Sequence, residues 1–296
     1  MNEGIAVKEL VSKEQWDARI ASRHAPAPLP ASPRRRGLRS VWDKARARIG
    51  AAPSEPYAVA VFYAHLNRFL PRCDEWSILE VGCAPGKHLV RFHSQFGYRP
   101  YGIDYRSLGV EETRRTFAVH GLPAENVIEA DVFEDGFQHR YRERFDVVFS
   151  WSLIEHFDDP RRLIAAQTAL LRPGGFLVCA APNLVGWSYP WIRLLAPEHL
   201  TWHNCTIMRG RPYAALFDGA GLIPCFCGCV GMFQLFGASH GHRRGWRGAA
   251  WRALDRACDL ADHLMFLSLR GRALETRYSP WLVYIGQKSA SKGGDS

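Results

Sequence analysis

Three acidic residues standing where apolar runs end are the clearest candidates for chemistry: Glu80 in E80-V-G-C-A-P-G86, Asp104 in Y-G-I-D, and Asp131 in E-A-D-V. Glu80 leads into a turn where Gly82 lets the backbone bend beneath a ligand and Ala84 is small enough not to block its approach. Gly86 opens the next helix, so that an N-terminus faces the ligand. Asp104 follows about 20 residues after the turn, where a carboxylate accepts from both hydroxyls of a ribose. Asp131, with apolar Val132 beside it, suits an adenine amino group and ring face. One nucleoside would touch all three strand ends.

The type of nucleoside follows from what the turn lacks. A nicotinamide dinucleotide needs G-x-G-x-x-G to seat its pyrophosphate; here the pattern is G-x-A-x-G with Glu80 two residues upstream. An acid there repels phosphate and suits a cofactor without one, such as S-adenosylmethionine. Three histidines are candidate bases: His156 in S-L-I-E-H-F, and His199 and His203 in P-E-H-L-T-W-H-N. Each is equally readable as a hydrogen-bonded histidine that fixes its loop. The segment 183–205 also carries Asn183 and four aromatic residues, Trp187, Tyr189, Trp191 and Trp202, of which two are expected to wall an acceptor pocket.

The elements that must hold these residues alternate. Strands are expected at 77–82, 100–104, 126–130, 145–150 and 175–181, with helices at 86–96, 107–120, 160–171 and 206–219. That alternation marks an α/β, doubly wound, Rossmann-like parallel sheet. An apolar helical run at 57–70 precedes it, and apolar runs at 222–235 and 281–287 close the chain. Residues 246–267 carry Trp251, Leu254, Cys258, Ala261 and Met265 at helical spacing and read as an amphipathic helix. It either packs on the body or rests on a membrane surface or a second copy. Upstream, four prolines in 25–36 make an extended linker between short helices expected at 1–21 and 38–49.

The motifs ILEVGCAPG (78–86), YGIDY (101–105), EADVFE (129–134), FDVVFSWSLIEHFDDP (145–160) and LLRPGGFLVCAAPN (170–183), in this order, make residues 57–288 resemble a class I S-adenosylmethionine-dependent methyltransferase. The likeness is to enzymes acting on small molecules such as quinones, natural products and saccharides. It implies seven strands, the last antiparallel, with 236–277 inserted between the final two. It also implies that Glu80, Gly82, Cys83 and Gly86 surround the methionine moiety, that Asp104 holds the ribose, and that Ala84 and Tyr105 belong to the same cofactor site. Asp131 and Val132 would then hold the adenine, and Ser150 and Trp151 the sulfonium side. Ala84 replaces the usual middle glycine, and Lys87 is an added cation at the helix start.

Composition sets the outer limits. With 296 residues and 47% hydrophobic content the chain builds a core, which excludes global disorder and fibrous classes. Of the net charge of +9, residues 19–48 carry +8 and 240–277 carry +4, leaving −3 for the rest. The body therefore lacks the basic stripe of a nucleic-acid groove, and neither a [DNS]-P-P-[YFW] nor a Pro-Cys motif follows the fourth strand. Nucleic acid is not an expected partner; the basic arm 34–48 and the amphipathic segment 246–267 are candidates for membrane contact. Eight cysteines without a framework fit a reduced, cytoplasmic setting. Cys225, Cys227 and Cys229 alternate along a strand and are read as packing, so no metal is expected. No apolar run of about 18 residues occurs. The expected domains are an arm at 1–56, the catalytic unit at 57–288 and a flexible tail at 289–296. The expected activity is methyl transfer to an oxygen of a small metabolite or saccharide. The alternatives are a membrane-associated enzyme for a lipid-soluble acceptor, an N-methyltransferase, or a non-catalytic partner subunit.

Overall fold

The computed structural model describes residues 57–290 except 232, 236–244, 271 and 273. The helices expected at 1–21 and 38–49, the proline linker and the 34–48 arm lie outside the described residues. Helix α1 (Tyr57–Leu66) leads into the alternation β1 (Ser77–Val81), α2 (Lys87–Phe96), β2 (Arg99–Asp104), α3 (Ser107–Val119) and β3 (Val127–Glu129). It continues through α4 (Asp135–Tyr141), β4 (Phe145–Trp151), α5 (Pro160–Leu170) and β5 (Leu171–Pro182). Three short helices follow, α6 (Tyr189–Leu195), α7 (Glu198–Thr201) and α8 (Gly210–Ala215). Then come β6 (Leu222–Val230), α9 (Trp246–Ser268) and β7 (Trp281–Lys288).

The seven strands form one sheet in the order β3-β2-β1-β4-β5-β7-β6, with β7 antiparallel to both neighbours. Strands β1, β4, β5 and β7 are buried along most of their length, which is why they read as apolar runs, whereas edge strand β6 is largely exposed. Leu79, Val81, Ile103, Val148 and Leu177 pack on one side; Ile78, Val147, Phe149, Val178 and Val283 pack on the other. The chain leaves β1 toward β2 and β3 on one side and toward β4 and β5 on the other. That reversal opens a crevice at the carboxyl ends of β1 and β4, where ligands bind in such sheets.

Boundaries expected from the sequence differ in four places. The helix expected at 206–219 is a turn at Cys205–Ile207 followed by the short α8. The strand begun at 222 ends at Val230 rather than 235. β5 starts at Leu171 because Leu171 already pairs with Phe145, ahead of an irregularity in that ladder. Helix α4 was not foreseen: Gly136 and two charged flanks hide a single apolar anchor, Phe137. Cys225 and Cys227 lie exposed on edge strand β6, and only Cys229 is buried, so packing holds one of the three.

Helix α9 lies against α1 and α6, burying Trp251 and Cys258 of the expected stripe together with Asp262 and His263. Trp246, Leu264 and Leu267 remain exposed. Among the described residues no helix is long and apolar enough to cross a membrane.

Candidate active site

The crevice holds a cavity of about 360 Å³ at the ends of β1 to β4. Its floor is the glycine turn. Gly86 has φ +84° and a Cβ there would stand 2.8 Å from Thr113 Cγ2, so only glycine allows the turn to close against α3. Asp104, at the tip of β2, is 3% exposed. It accepts from the backbone N–H of Arg106 (3.0 Å) and, at both oxygens, from the guanidinium (3.1 Å each). A buried carboxylate is thus paired and aimed before any ligand arrives.

Close approach of α3 to that pair depends on Gly109, where an added Cβ would lie 2.8 Å from Asp104 Oδ2 and 3.1 Å from Ala84 Cβ. The substitution Gly109→Val is expected to cost about 1–3 kcal/mol of stability through overpacking, measured as a lower denaturant midpoint with an unchanged slope. An unchanged midpoint would mean that the helix tolerates a side chain there.

Glu80 is buried, and its Oε2 has no hydrogen-bond partner. Burial pushes its pKa well above 4.5, and the nearby charge of Asp104 pushes it the same way. A carboxyl in this position awaits a cationic donor. The set fits S-adenosylmethionine: an orphaned acid for an ammonium, a strand-end acid for a ribose and no cradle for phosphate. Beside the turn, burial and then Lys87 lower the pKa of His88 to about 4. This keeps His88 a neutral ring between Tyr63 and Trp151.

Of the residues singled out from the sequence, Glu80, Gly82, Ala84, Asp104, Tyr105, Asp131, Val132, Trp151 and His156 line the cavity. Cys83, Gly86 and Ser150 do not. The Cys83 thiol faces Thr113 behind the turn, Gly86 caps α2, and Ser150 Oγ reaches Cys179 across the sheet. Lys87, His88, Arg106, Leu153 and Phe157 line it without having been assigned there. Only Lys87 had been marked as unusual.

The acceptor wall expected at 183–205 is not part of this cavity. Asn183 Nδ2 donates to the carbonyls of Ser279 (3.0 Å) and Arg277 (3.1 Å), tying β5 to the segment before β7. Tyr189 and Trp191 are exposed because α6 turns Ile192 and Leu195 inward. Trp187 packs edge-on against Phe233, and the Trp202 ring lies tilted at 57° to that of His199.

The three candidate bases nevertheless converge. Loops 154–157 and 202–205 are joined by Asn204 N–H donating to the Glu155 carbonyl (2.7 Å) and by His156 Nδ1–H donating to the Trp202 carbonyl (3.0 Å). His203 Nδ1–H donates to the His199 carbonyl at 2.6 Å. A carbonyl only accepts, so in the neutral rings of His156 and His203 Nδ1 carries the proton and the ring lone pair is on Nε2. The rings are 4.7 Å apart. His199, also buried, supplies its backbone carbonyl to His203, and its ring stacks on that of His203 with centroids 6.0 Å apart.

The family described as "Methyltransferase domain" matches residues 34–223, beginning upstream of the expected boundary at 57. A tRNA U34 carboxymethyltransferase from Idiomarina loihiensis is 31% identical over 116 residues, 38% of this chain and 35% of that protein. A ubiquinone biosynthesis O-methyltransferase from Cereibacter sphaeroides is 31% identical over 108 residues, 36% of this chain and 41% of that protein. The chain thus matches less than half the length of either relative. Among solved structures, the Haloferax volcanii complex of the Trm112 activator with a methyltransferase aligns with a TM-score of 0.52 at 15% identity, covering 80% of this chain and 92% of that one. That likeness speaks to the fold. With the family match spanning well over half of its residues, the chain belongs to the methyltransferase-domain family and has the class I methyltransferase fold.

Proposed function

We propose that the protein methylates an oxygen of a small organic acceptor. The observation that carries this reading is the place of His156: it lines the donor cavity, and its Nδ1–H donates to the Trp202 carbonyl, which fixes the ring at the cavity edge. An amine acceptor is already nucleophilic once neutral, whereas a hydroxyl gains most from a nearby proton acceptor. The ubiquinone-biosynthesis O-methyltransferase relatives point the same way.

When bound, S-adenosylmethionine supplies a methyl group already activated on a sulfonium, so the chain's task is alignment and exclusion of water. Glu80 would take the ammonium, Asp104 the ribose hydroxyls, and Asp131, Val132 and Tyr105 the adenine. Trp151, fixed against Trp281 at 3.9 Å between rings, offers an aromatic face to the sulfonium side. Leu153 and Phe157 close the apolar wall, and His156 Nε2 accepts the proton of the acceptor hydroxyl.

Radiolabelled methyl transfer to matched hydroxyl- and amine-bearing acceptors tests the reading. Label is expected on the hydroxyl set, with His156→Ala lowering kcat by about 10²–10⁴-fold while donor affinity stays within a small factor. Transfer confined to amines would overturn it.

A further inference from the structure

The strongest feature outside the donor-binding machinery is the group Glu155, His156 and His203, whose ligand atoms all lie within 4.8 Å of one another. Glu155 is fully buried and His156 is 3% exposed. His156 Nε2 lies 3.8 Å from Glu155 Oε1. Two ligands of a tetrahedral ion at about 2.0–2.1 Å would be about 3.3 Å apart. Small side-chain movements separate the two arrangements.

The way the imidazoles are held carries the argument. A metal-bound histidine characteristically donates its other ring N–H to a carbonyl or carboxylate, which fixes the ring and directs the remaining lone pair to the ion. Both histidines do this here, His156 to the Trp202 carbonyl (3.0 Å) and His203 to the His199 carbonyl (2.6 Å). The clamp reaches across sequence. Asn204 N–H holds the Glu155 carbonyl at 2.7 Å, and Asn204 Nδ2 reaches the Phe157 carbonyl at 3.4 Å. Two loops from different strand ends are therefore locked so that two imidazole nitrogens and a carboxylate meet in a buried place. A stack of hydrogen-bonded histidines serving only to fix the loops would not require a buried acid at the same point.

The geometry points to a site for one divalent first-row transition ion, held by Glu155, His156 and His203 at the edge of the donor cavity, with open positions for an acceptor oxygen. Two imidazoles and one carboxylate suit zinc and its neighbours in the series better than magnesium or calcium. The site rests on the oxygen-acceptor reading and deepens it. An acceptor hydroxyl bound to the ion would lose its O–H proton to solvent, and its electron pair would form the new O–C bond as the methyl–sulfonium bond breaks and returns its pair to sulfur, leaving a neutral thioether with no external oxidant or reductant needed. His156 then acts as a ligand, and the ion takes over the ionisation of the hydroxyl.

The test uses chelator-stripped full chain and Co²⁺ as the probe, with Zn²⁺ as competitor. Expected are visible d–d absorption saturating at one Co²⁺ per chain, its displacement by Zn²⁺, and binding at least about 100-fold weaker in His203→Gln and His156→Gln. Thermal midpoint and donor calorimetry confirm that each variant is folded; should His156→Gln unfold, His203→Gln, at a half-buried position, decides alone. Absence of Co²⁺ absorption in wild type overturns the site. So does a wild-type spectrum in folded His203→Gln, which would place the ion elsewhere, for example on Cys225 and Cys227. Methyl transfer is assayed separately. Transfer to hydroxyls undiminished by chelator defeats the metal site and leaves the acceptor reading standing; Co²⁺ binding as expected with transfer only to amines does the reverse.

Discussion

Asp104→Ala is expected to weaken S-adenosylmethionine binding by at least about 100-fold, since two charge-assisted hydrogen bonds of about 1.5–3 kcal/mol each are lost. Calorimetry against wild type is the measurement. Removing this carboxylate also strands the buried Arg106 guanidinium, now bonded to both Asp104 oxygens at 3.1 Å. Breaking such a pair costs about 3–5 kcal/mol of stability. A fall in affinity could then reflect partial unfolding. The double variant Asp104→Ala with Arg106→Leu removes both charges, so stability is expected to recover while binding stays weak. Wild-type affinity in either folded variant would remove Asp104 from the donor site.

The arginine clamp also shows where sequence reading stops. Asp104 is legible because its role depends on a local pattern, an acid ending the strand after a glycine turn. Its partner is two residues away, yet nothing in D-Y-R shows that the guanidinium folds back rather than facing solvent. The same limit separates His156 from His203. Their meeting depends on hydrogen bonds between loops more than 45 residues apart in sequence, Asn204 to Glu155 and His156 to Trp202. Glu155 went unremarked beside His156 because an acid in a loop after a strand is ordinarily solvated. Here it is fully buried.

Asn183 failed in the opposite direction. A polar residue at a strand end has the same sequence signature whether it faces a cavity or ties the chain, and its amide bonds carbonyls near residue 278. The aromatic residues of 183–205 were over-assigned because ring count does not give helical phase. With Ile192 and Leu195 buried in α6, Trp191 and Leu194 face outward. By contrast, the central strands are legible as apolar runs because they are buried along most of their length.

Glu80→Gln is expected to move stability and function in opposite directions. In the unfolded chain Glu80 ionises near its ordinary value of 4.5, while in the folded protein burial and the Asp104 charge hold its pKa well above that. Between these two values the unfolded state binds fewer protons than the folded one. Stability therefore falls as pH rises through this window, and the penalty is absent below the unfolded pKa. A neutral isostere escapes that penalty, so Glu80→Gln should have a higher thermal midpoint than wild type at pH of about 8 and the same midpoint at pH of about 4. Donor binding should respond the other way. Pairing with the ammonium requires the ionised acid, so wild type should release a proton on binding S-adenosylmethionine at a pH inside that window and below the pKa of the amino group, about 7.7–8.0. Calorimetry in buffers of different ionisation enthalpy detects that proton. Glu80→Gln should release none and bind at least about tenfold more weakly, the loss of one charged hydrogen bond of about 1.5–3 kcal/mol. Equal proton release by both proteins, or a midpoint at pH of about 8 lower in the variant than in wild type, would mean that Glu80 is not the buried acid awaiting the donor's ammonium.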